Sequence, residues 1–108
     1  MSLKNSAEIS WFAPICDGDD DFLGNRNPLY KSSWENTCKI VQTAEKFGYK
    51  NVLCPSSFQV GQDSLSFVAA MSNLTKDINF LPAVRCGEIH PPMLARTIAT
   101  IDHMVKGR

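Results

Sequence analysis

The feature that most constrains this chain is a threefold alternation of an apolar strand-like segment, a polar loop and an amphipathic helix. The strand-like segments are residues 8–15, 51–55 and 78–84. The units recur about every 30 residues, the usual length of a β-α-β unit. Apolar strands that alternate with helices in this way are typical of a parallel sheet with right-handed crossover connections. The sequence therefore predicts an α/β fold with the element order β-α-β-α-β-α.

The first helix has both a start signal and a stop signal. Ser32 and Glu35 have the spacing of a capping box, in which Ser32 is the N-cap and Glu35 returns to its amide. Gly48 is expected to supply the left-handed residue that ends the helix. Between these signals, the apolar residues at helical spacing predict one buried face: Trp34, Cys38, Val41, Ala44 and Phe47.

The second and third helices have signals of their own. Either Asp63 or Ser64 is expected to cap the second helix. Pro91 and Pro92 fit the start of the third helix, because proline needs no amide donor in the first turn, and Gly107 follows its end. The residues predicted to pack inward from these two helices are Leu65, Phe67, Val68, Ala69, Met71 and Leu74, then Leu94, Ile98, Ile101 and Val105.

Two parallel architectures fit this element order, a doubly wound sheet and the opening of a (β/α)8 barrel. No G-x-G-x-x-G motif follows the first strand, which weakens the dinucleotide-binding form of the doubly wound sheet. An eight-unit barrel takes about 250 residues, whereas this chain has 108. We therefore expect residues 1–108 to be a single domain fragment, the first three β/α units of a TIM barrel that is incomplete as given.

Charge, hydropathy and cysteine spacing argue against several functional classes. Lys and Arg number 11 and Asp and Glu number 11, so the formal net charge is zero and the basic field of a nucleic-acid-binding protein is missing. No apolar run approaches the roughly 20 residues of a membrane span, and no secretory signal is visible. We expect a cytoplasmic protein without nucleic-acid or membrane partners. The four cysteines form no C-x-x-C pair, so we expect reduced thiols and no metal site, with Cys38 and Cys54 acting as small hydrophobes.

Specific segments then resemble one known family. Residues 94–108, LARTIATIDHMVKGR, look like the A-R-x-x-A-T-x-D-x-x-S-x-G-R helix of bacterial luciferase-like flavin-dependent monooxygenases, departing only at Val105. Shorter matches at residues 11–14 (WFAP), 44–49 (AEKFGY) and 80–85 (FLPAVR) resemble the alkanesulfonate and dimethylsulfone monooxygenase branch. The resemblance covers nearly the whole chain, and the segment at residues 94–108 is its most specific part.

The resemblance implies a cofactor and partners. It implies FMN, reduced by a separate NAD(P)H:FMN reductase, and a reaction with O2 through a peroxyflavin that oxidises a small organosulfur substrate such as an alkanesulfonate or a sulfone. It also implies a homo-oligomer. Much of the family's apparatus comes from later strands, so we expect the 108-residue chain alone to be inactive.

In a (β/α)8 barrel the active site lies at the carboxyl ends of the strands. The resemblance places flavin contacts at Ser56 and Ser57, which are otherwise ordinary loop serines, and at Pro82, Ala83 and Val84. It implies a non-prolyl cis peptide at the Pro82–Ala83 or Ala83–Val84 bond, where the alternative is a tight strand end without a functional role.

Two further residues at these strand ends are candidates for the substrate side of the site. Cys16 stands where the sulfonate branch has an active-site histidine, so it is placed in the catalytic set, as a pocket-lining residue or as a reactive thiol. It opens a long loop, residues 16–31, that we expect to be functional or mobile. Arg85 is expected to bind an anionic group, a sulfonate or the flavin phosphate; the alternative is a solvated arginine or a partner for Glu88.

Two other functions stay open at this point. One is a non-catalytic, truncated flavin-binding or dimerisation module. The other is a deazaflavin-dependent oxidoreductase of the same superfamily, which transfers hydride and does not use oxygen. The segment at residues 11–14 favours the sulfonate branch over the second of these.

Overall fold

The described part of the chain forms one parallel sheet, with two helices in the crossover connections and a third helix after the last strand. A computed structural model describes residues 7–16, 32–57 and 61–108. The elements are β1 (Ser10–Phe12), α1 (Trp34–Lys46), β2 (Asn51–Cys54), α2 (Ser64–Met71), β3 (Asn79–Pro82) and α3 (Pro91–Val105). The strands lie in the order β1-β2-β3, and both neighbouring pairs are parallel. The predicted α/β class, element order and parallel sheet are confirmed.

The strands are shorter than the sequence predicts. β1 ends at Phe12 because the chain turns at Pro14, where the Ile15 amide donates to the Ala13 carbonyl over 2.8 Å. This hydrogen bond between residues two apart defines a γ-turn, a common ending for a strand. Most of the long loop predicted after β1 falls on residues 17–31, which lie outside the described residues.

The N-cap of α1 is Ser33 and not Ser32, so the predicted capping box is wrong by one residue. The Ser33 hydroxyl accepts a hydrogen bond from the Asn36 amide at 3.2 Å. Ser32 instead accepts a hydrogen bond from the side chain of Gln62 at 2.7 Å. A tertiary contact therefore uses the serine that local spacing selects as the cap. The predicted left-handed residue at the end of α1 is confirmed, with φ of 82° at Gly48.

The other two helices begin where the sequence predicts. Asp63 caps α2 by accepting from the Ser66 amide at 2.7 Å, and Pro91 opens α3. α2 ends at Met71, so the predicted apolar position Leu74 lies beyond the helix and is exposed. α3 ends with Lys106 itself in the left-handed region, at φ of 56°. No helix in the described ranges is both long and apolar enough to cross a membrane.

The core lies between one face of the sheet and the helices. Val52 and Cys54 of β2 are fully buried on this face, and α2 supplies the most buried helical side chains. Burial raises the pKa of the Cys54 thiol to about 12, so this cysteine acts as a small apolar side chain, as predicted. The buried apolar residues are Ala13, Ile15, Cys38, Val41, Ala44, Val52, Cys54, Leu65, Phe67, Val68, Met71, Ile78, Ile101 and Val105.

The other face of the sheet is open. Phe12, Leu53 and Leu81 are register partners across the three strands, and Phe12 and Leu81 are 53% and 62% exposed. The predicted burial of Phe47 and Ile98 is wrong, because both side chains are exposed. In the described ranges, the helices cover one face of the sheet, which leaves apolar side chains on its other face exposed.

Candidate active site at the carboxyl edge of the sheet

The carboxyl ends of the three parallel strands meet at one edge, and every site residue predicted from the sequence lies there. β1 continues through a turn to Cys16, β2 continues to Ser56 and Ser57, and β3 continues to Arg85. The parallel register places these exits side by side. Barrel enzymes carry their reacting groups at this edge.

The structure brings Ser56 and Arg85 together. Arg85 donates from Nε to the Ser56 hydroxyl at 3.3 Å and from Nη2 to the Ser56 carbonyl oxygen at 3.1 Å. These two hydrogen bonds join the end of β2 to the end of β3. They hold the guanidinium in one orientation at the carboxyl edge.

Arg85 also has an acidic neighbour. Its Nε lies 3.9 Å from Oε1 of Glu88, and the two side chains are 34% and 42% exposed. Ion pairs of this length and exposure contribute little to stability, in the range of about 0–1 kcal/mol. Arg85 is therefore a partner of Glu88, as one of the two sequence interpretations has it, but the shorter bonds to Ser56 set its position.

The three residues predicted at the end of β3 face different sides. The Ala83 amide donates to the Cys54 carbonyl at 2.8 Å and continues the ladder, while the Ala83 carbonyl accepts from the Ser64 hydroxyl at 2.8 Å. Val84 packs against the core, and Pro82 lies in a small apolar hollow between β3 and α3. Because side chains alternate along a strand, Ala83 follows Leu81 on the open face.

The cis peptide bond that the family resemblance implies is absent here. The Pro82–Ala83 and Ala83–Val84 bonds are both trans, so this expectation is wrong for this structure. The ladder bond from Ala83 to Cys54 keeps the backbone extended through the end of β3.

Cys16 lies in a second group of contacts at the same edge. It is half-buried and forms an isolated antiparallel bridge with Gly61, in the loop that leads into α2. Next to it, the Gln62 amide donates to the Ile15 carbonyl at 2.7 Å. No disulfide joins any two of the four cysteines in the described structure. Ser57 is half-buried at the end of β2.

Sequence reasoning missed Gly61, Gln62 and Ser64 as residues of this edge. Gly61 and Gln62 fall in a polar exit loop without a motif, and Ser64 is recognised only as a possible helix cap. Their partners Ile15, Cys16 and Ala83 are far away in the sequence, so no local pattern marks these contacts. A lone glycine in a loop was the single available signal, and alone it is a weak one.

A flavin ring needs a flat apolar surface with polar groups at its rim, and the residues present fit that need. The open face of the sheet offers Phe12, Leu53 and Leu81, followed by the small side chain of Ala83. The Ser56 hydroxyl and the Arg85 guanidinium bonded to it supply a polar and a cationic group at the adjacent rim. Aromatic and aliphatic linings with a few placed polar groups are typical of cofactor sites.

Comparisons with known proteins cover nearly all of the chain. The sequence profile of the family described as luciferase-like monooxygenase matches residues 8–108. The chain is similar to the sulfoquinovose monooxygenase of Agrobacterium fabrum, at 54% identity over 104 residues. It is also similar to the sulfoquinovose monooxygenase of Novosphingobium aromaticivorans, at 43% identity over 102 residues. These alignments cover 96% and 94% of this chain but only 27% and 28% of the relatives.

Proposed function

Because the chain belongs to the luciferase-like monooxygenase family, we propose that residues 1–108 form the first three β/α units of a (β/α)8 barrel monooxygenase that oxidises a sulfonated substrate. Arg85, held by Ser56 at the carboxyl edge of the sheet, is the observation that carries this proposal. Sulfoquinovose, the sugar sulfonate named for both relatives, is the substrate that we propose here.

The role of Arg85 is to bind the sulfonate. A guanidinium presents a rigid fork of donors that suits tetrahedral and planar oxyanions. The two bonds to Ser56 restrict the side chain before substrate arrives, which reduces the entropy lost on binding. Glu88, at 3.9 Å from Nε, partly offsets the positive charge of the guanidinium without replacing a bound anion.

The role of the sheet edge is to hold reduced FMN. We propose that the Ala83 backbone and the serines Ser56 and Ser57 contact the flavin, with Pro82 and Val84 supporting Ala83 from behind. Reduced flavin supplies the activation of oxygen, chemistry that no side chain provides. An NAD(P)H:FMN reductase supplies the reduced FMN. The apolar side chains of the open face exclude water from the flavin. We expect a homo-oligomer in the cytoplasm.

The role of Cys16 is to line the substrate side of the same pocket. Its half-buried position at the end of β1 places a small, weakly polar group where the wall of the barrel meets its mouth. A thiol there leaves room for a bulky sulfonated substrate.

The test uses the full-length protein with reduced FMN, a flavin reductase and sulfoquinovose. Arg85→Ala is expected to raise KM for sulfoquinovose about tenfold to hundredfold, because a charge-assisted hydrogen bond to the sulfonate is lost, and to weaken FMN binding by a much smaller factor, because Ser56 loses its partner but keeps its hydroxyl. The matched control is Arg96→Ala, which removes an exposed arginine from α3 whose hydrogen bond goes to Met93 Sδ.

Two results would overturn the proposal. An unchanged KM in Arg85→Ala would remove the sulfonate-binding role. Tighter binding of a deazaflavin than of FMN in a fluorescence titration, or flavin binding without any oxidation of sulfoquinovose, would replace the monooxygenase with one of the two alternatives from the same superfamily.

A further inference from the structure

The loop between β2 and α2 ends in two residues that touch the end of β1. Gly61 faces Cys16 in an antiparallel bridge, and the Gln62 amide donates to the Ile15 carbonyl at 2.7 Å. Ile15 is fully buried, whereas Cys16 is half-buried beside it. The position of Cys16 is thus set from the β2 side of the edge as well as by β1 itself.

The contact at Gly61 leaves no room for a side chain. A Cβ placed on Gly61 would lie 2.9 Å from the Ile15 carbonyl oxygen, 3.0 Å from the Cys16 Cα and 3.4 Å from the Cys16 Sγ. Two of these neighbours are backbone atoms, which cannot move without displacing the end of β1. Gly61 does not have the positive φ of Gly48 or Gly87, so space and not backbone conformation selects glycine here.

The Gln62 side chain extends the same contact to the start of α1. Its Nε2 donates to the Ser32 hydroxyl at 2.7 Å and to the Thr37 hydroxyl at 3.2 Å. Thr37 is fully buried, and its own proton goes to the Ser33 carbonyl at 2.7 Å. The Thr37 oxygen therefore only accepts from Gln62, so an amide fits this position and a carboxylate does not.

The backbone before Cys16 is held at each step. The Ala13 amide donates to the Leu53 carbonyl at 2.9 Å, the Ile15 amide closes the γ-turn, and the Ile15 carbonyl receives the Gln62 amide. The first two bonds depend on β1 and β2 alone. The third hydrogen bond joins this turn to the loop before α2, and of the three it is the nearest to Cys16.

We propose that Gly61 and Gln62 are positioning residues that hold the Cys16 thiol in the wall of the substrate pocket. They act on substrate binding through Cys16 and do not touch the substrate themselves. This inference rests on the proposed function insofar as Cys16 lines that pocket. The placement of Cys16 by Gly61 and Gln62 has a readout that needs no turnover.

The first measurement is the rate at which iodoacetamide alkylates Cys16 in the full-length protein, followed by peptide mass spectrometry. The exposed Cys86 serves as the internal reference. Gly61→Ala and Gln62→Glu are each expected to raise the ratio of the Cys16 rate to the Cys86 rate at least about threefold, because each releases the half-buried thiol. Gly61→Ala introduces a steric clash, whereas Gln62→Glu removes a side-chain donor, so the test remains valid if one of the two variants fails to fold.

Matched controls separate positioning from general destabilisation. Gln42→Glu makes the same substitution at a glutamine on the exposed side of α1, whose side-chain amide donates to the Leu74 carbonyl. Gly48→Ala strains a left-handed glycine whose added methyl meets no atom within 4 Å. Both controls are expected to leave the alkylation ratio of Cys16 unchanged, whatever they do to the melting temperature.

The second measurement is a double-mutant cycle on KM for sulfoquinovose. Gly61→Ala is expected to raise KM with little change in kcat, and this effect should largely vanish in a Cys16→Ala background. Unchanged alkylation ratios in folded variants would overturn the inference, as would an effect on KM that is independent of Cys16. A wild-type protein that does not oxidise sulfoquinovose but shows the shifted ratios would overturn the proposed function and leave the placement of Cys16 standing.

Discussion

Glu45, near the end of α1, accepts three backbone hydrogen bonds with one carboxylate oxygen. The amides of Lys76, Asp77 and Ile78 donate to its Oε1 at 2.8, 2.7 and 3.0 Å. Burial alone would raise the pKa of Glu45, but these amides, together with the charge of Arg108, lower it below its ordinary value. One residue thus connects α1 to the turn that starts β3, and it does so best as an anion.

Glu45→Gln is expected to lower the free energy of unfolding by about 1–2 kcal/mol at pH 7, because a neutral amide oxygen is a weaker acceptor than a carboxylate. The folded-state pKa is lowered, so the stabilisation is complete above about pH 4.3, the ordinary glutamate value, and is lost as the pH falls through the folded-state pKa. Urea unfolding of the full-length protein from pH 7 to pH 3 measures both effects.

The control for this experiment is Glu35→Gln, the same change in the first turn of the same helix. Its cost is expected to stay below about 1 kcal/mol, the usual size of a helix-dipole interaction. A wild-type and Glu45→Gln pair that differ equally at pH 7 and at pH 3 would contradict the assignment of this pH dependence to Glu45.

At the scale of elements, Arg108 connects α3 to the segment between α2 and β3. Its guanidinium donates to the carbonyls of Ser72, Thr75 and Ile78 and to the Thr75 hydroxyl, at 3.0 to 3.3 Å. Its own carbonyl accepts from the Phe80 amide at 2.7 Å. The final arginine of the family-like segment at residues 94–108 thus has a structural role, away from the carboxyl edge.

The start of α2 depends on Asp63. This helix has only eight residues, and short helices depend on their caps and on tertiary packing. Asp63→Ala is expected to reduce stability by about 1 kcal/mol, because the Ser66 amide loses its acceptor. Asp63→Asn keeps an acceptor oxygen and should stay close to the wild type in thermal unfolding. Equal losses in the two variants would point to the charge of Asp63 and not to its hydrogen bond.

At the scale of the whole molecule, the chain exposes apolar side chains on the open face of the sheet and beside β1. Phe12 and Leu81 lie on the open face, while Ile9, Trp11 and Phe47 border a cavity of about 670 Å³ between β1 and α1. Apolar patches of this kind in a soluble protein promote association, and open strand edges add to the effect.

Residues 1–108 expressed alone are expected to self-associate and to bind the dye ANS, whereas the full-length protein is expected to cover these side chains. Sedimentation velocity and ANS fluorescence measure the two properties. Replacing Phe12 and Leu81 together by serine should reduce both in the fragment, because the exposed apolar area shrinks. A monomeric fragment without ANS binding would contradict the prediction, and unchanged association in the double variant would show that the open face of the sheet is not the cause.

The sequence by itself determined the class of fold, the order of elements and the edge at which the candidate site residues lie. Helical spacing, the left-handed Gly48 and the prolines at 91 and 92 act over a few residues, so local physics suffices to predict them. The same holds for Cys54 as a buried small side chain and for a cap at Asp63 or Ser64, of which the structure selects Asp63.

The tertiary structure decided which of the candidate residues meet. Ser32 does not cap α1; its hydroxyl accepts a hydrogen bond from the side chain of Gln62, which lies in a distant loop. Arg85 is held by Ser56, and Cys16 is held by Gly61, through contacts that no local pattern contains. Whether Phe12 and Phe47 are buried depends on which surfaces the other elements cover, and both are exposed. Short-range propensities determine the helices and strands. The contacts of the candidate site depend on hydrogen bonds and close approaches between residues far apart in the sequence, and these form only when the elements have packed.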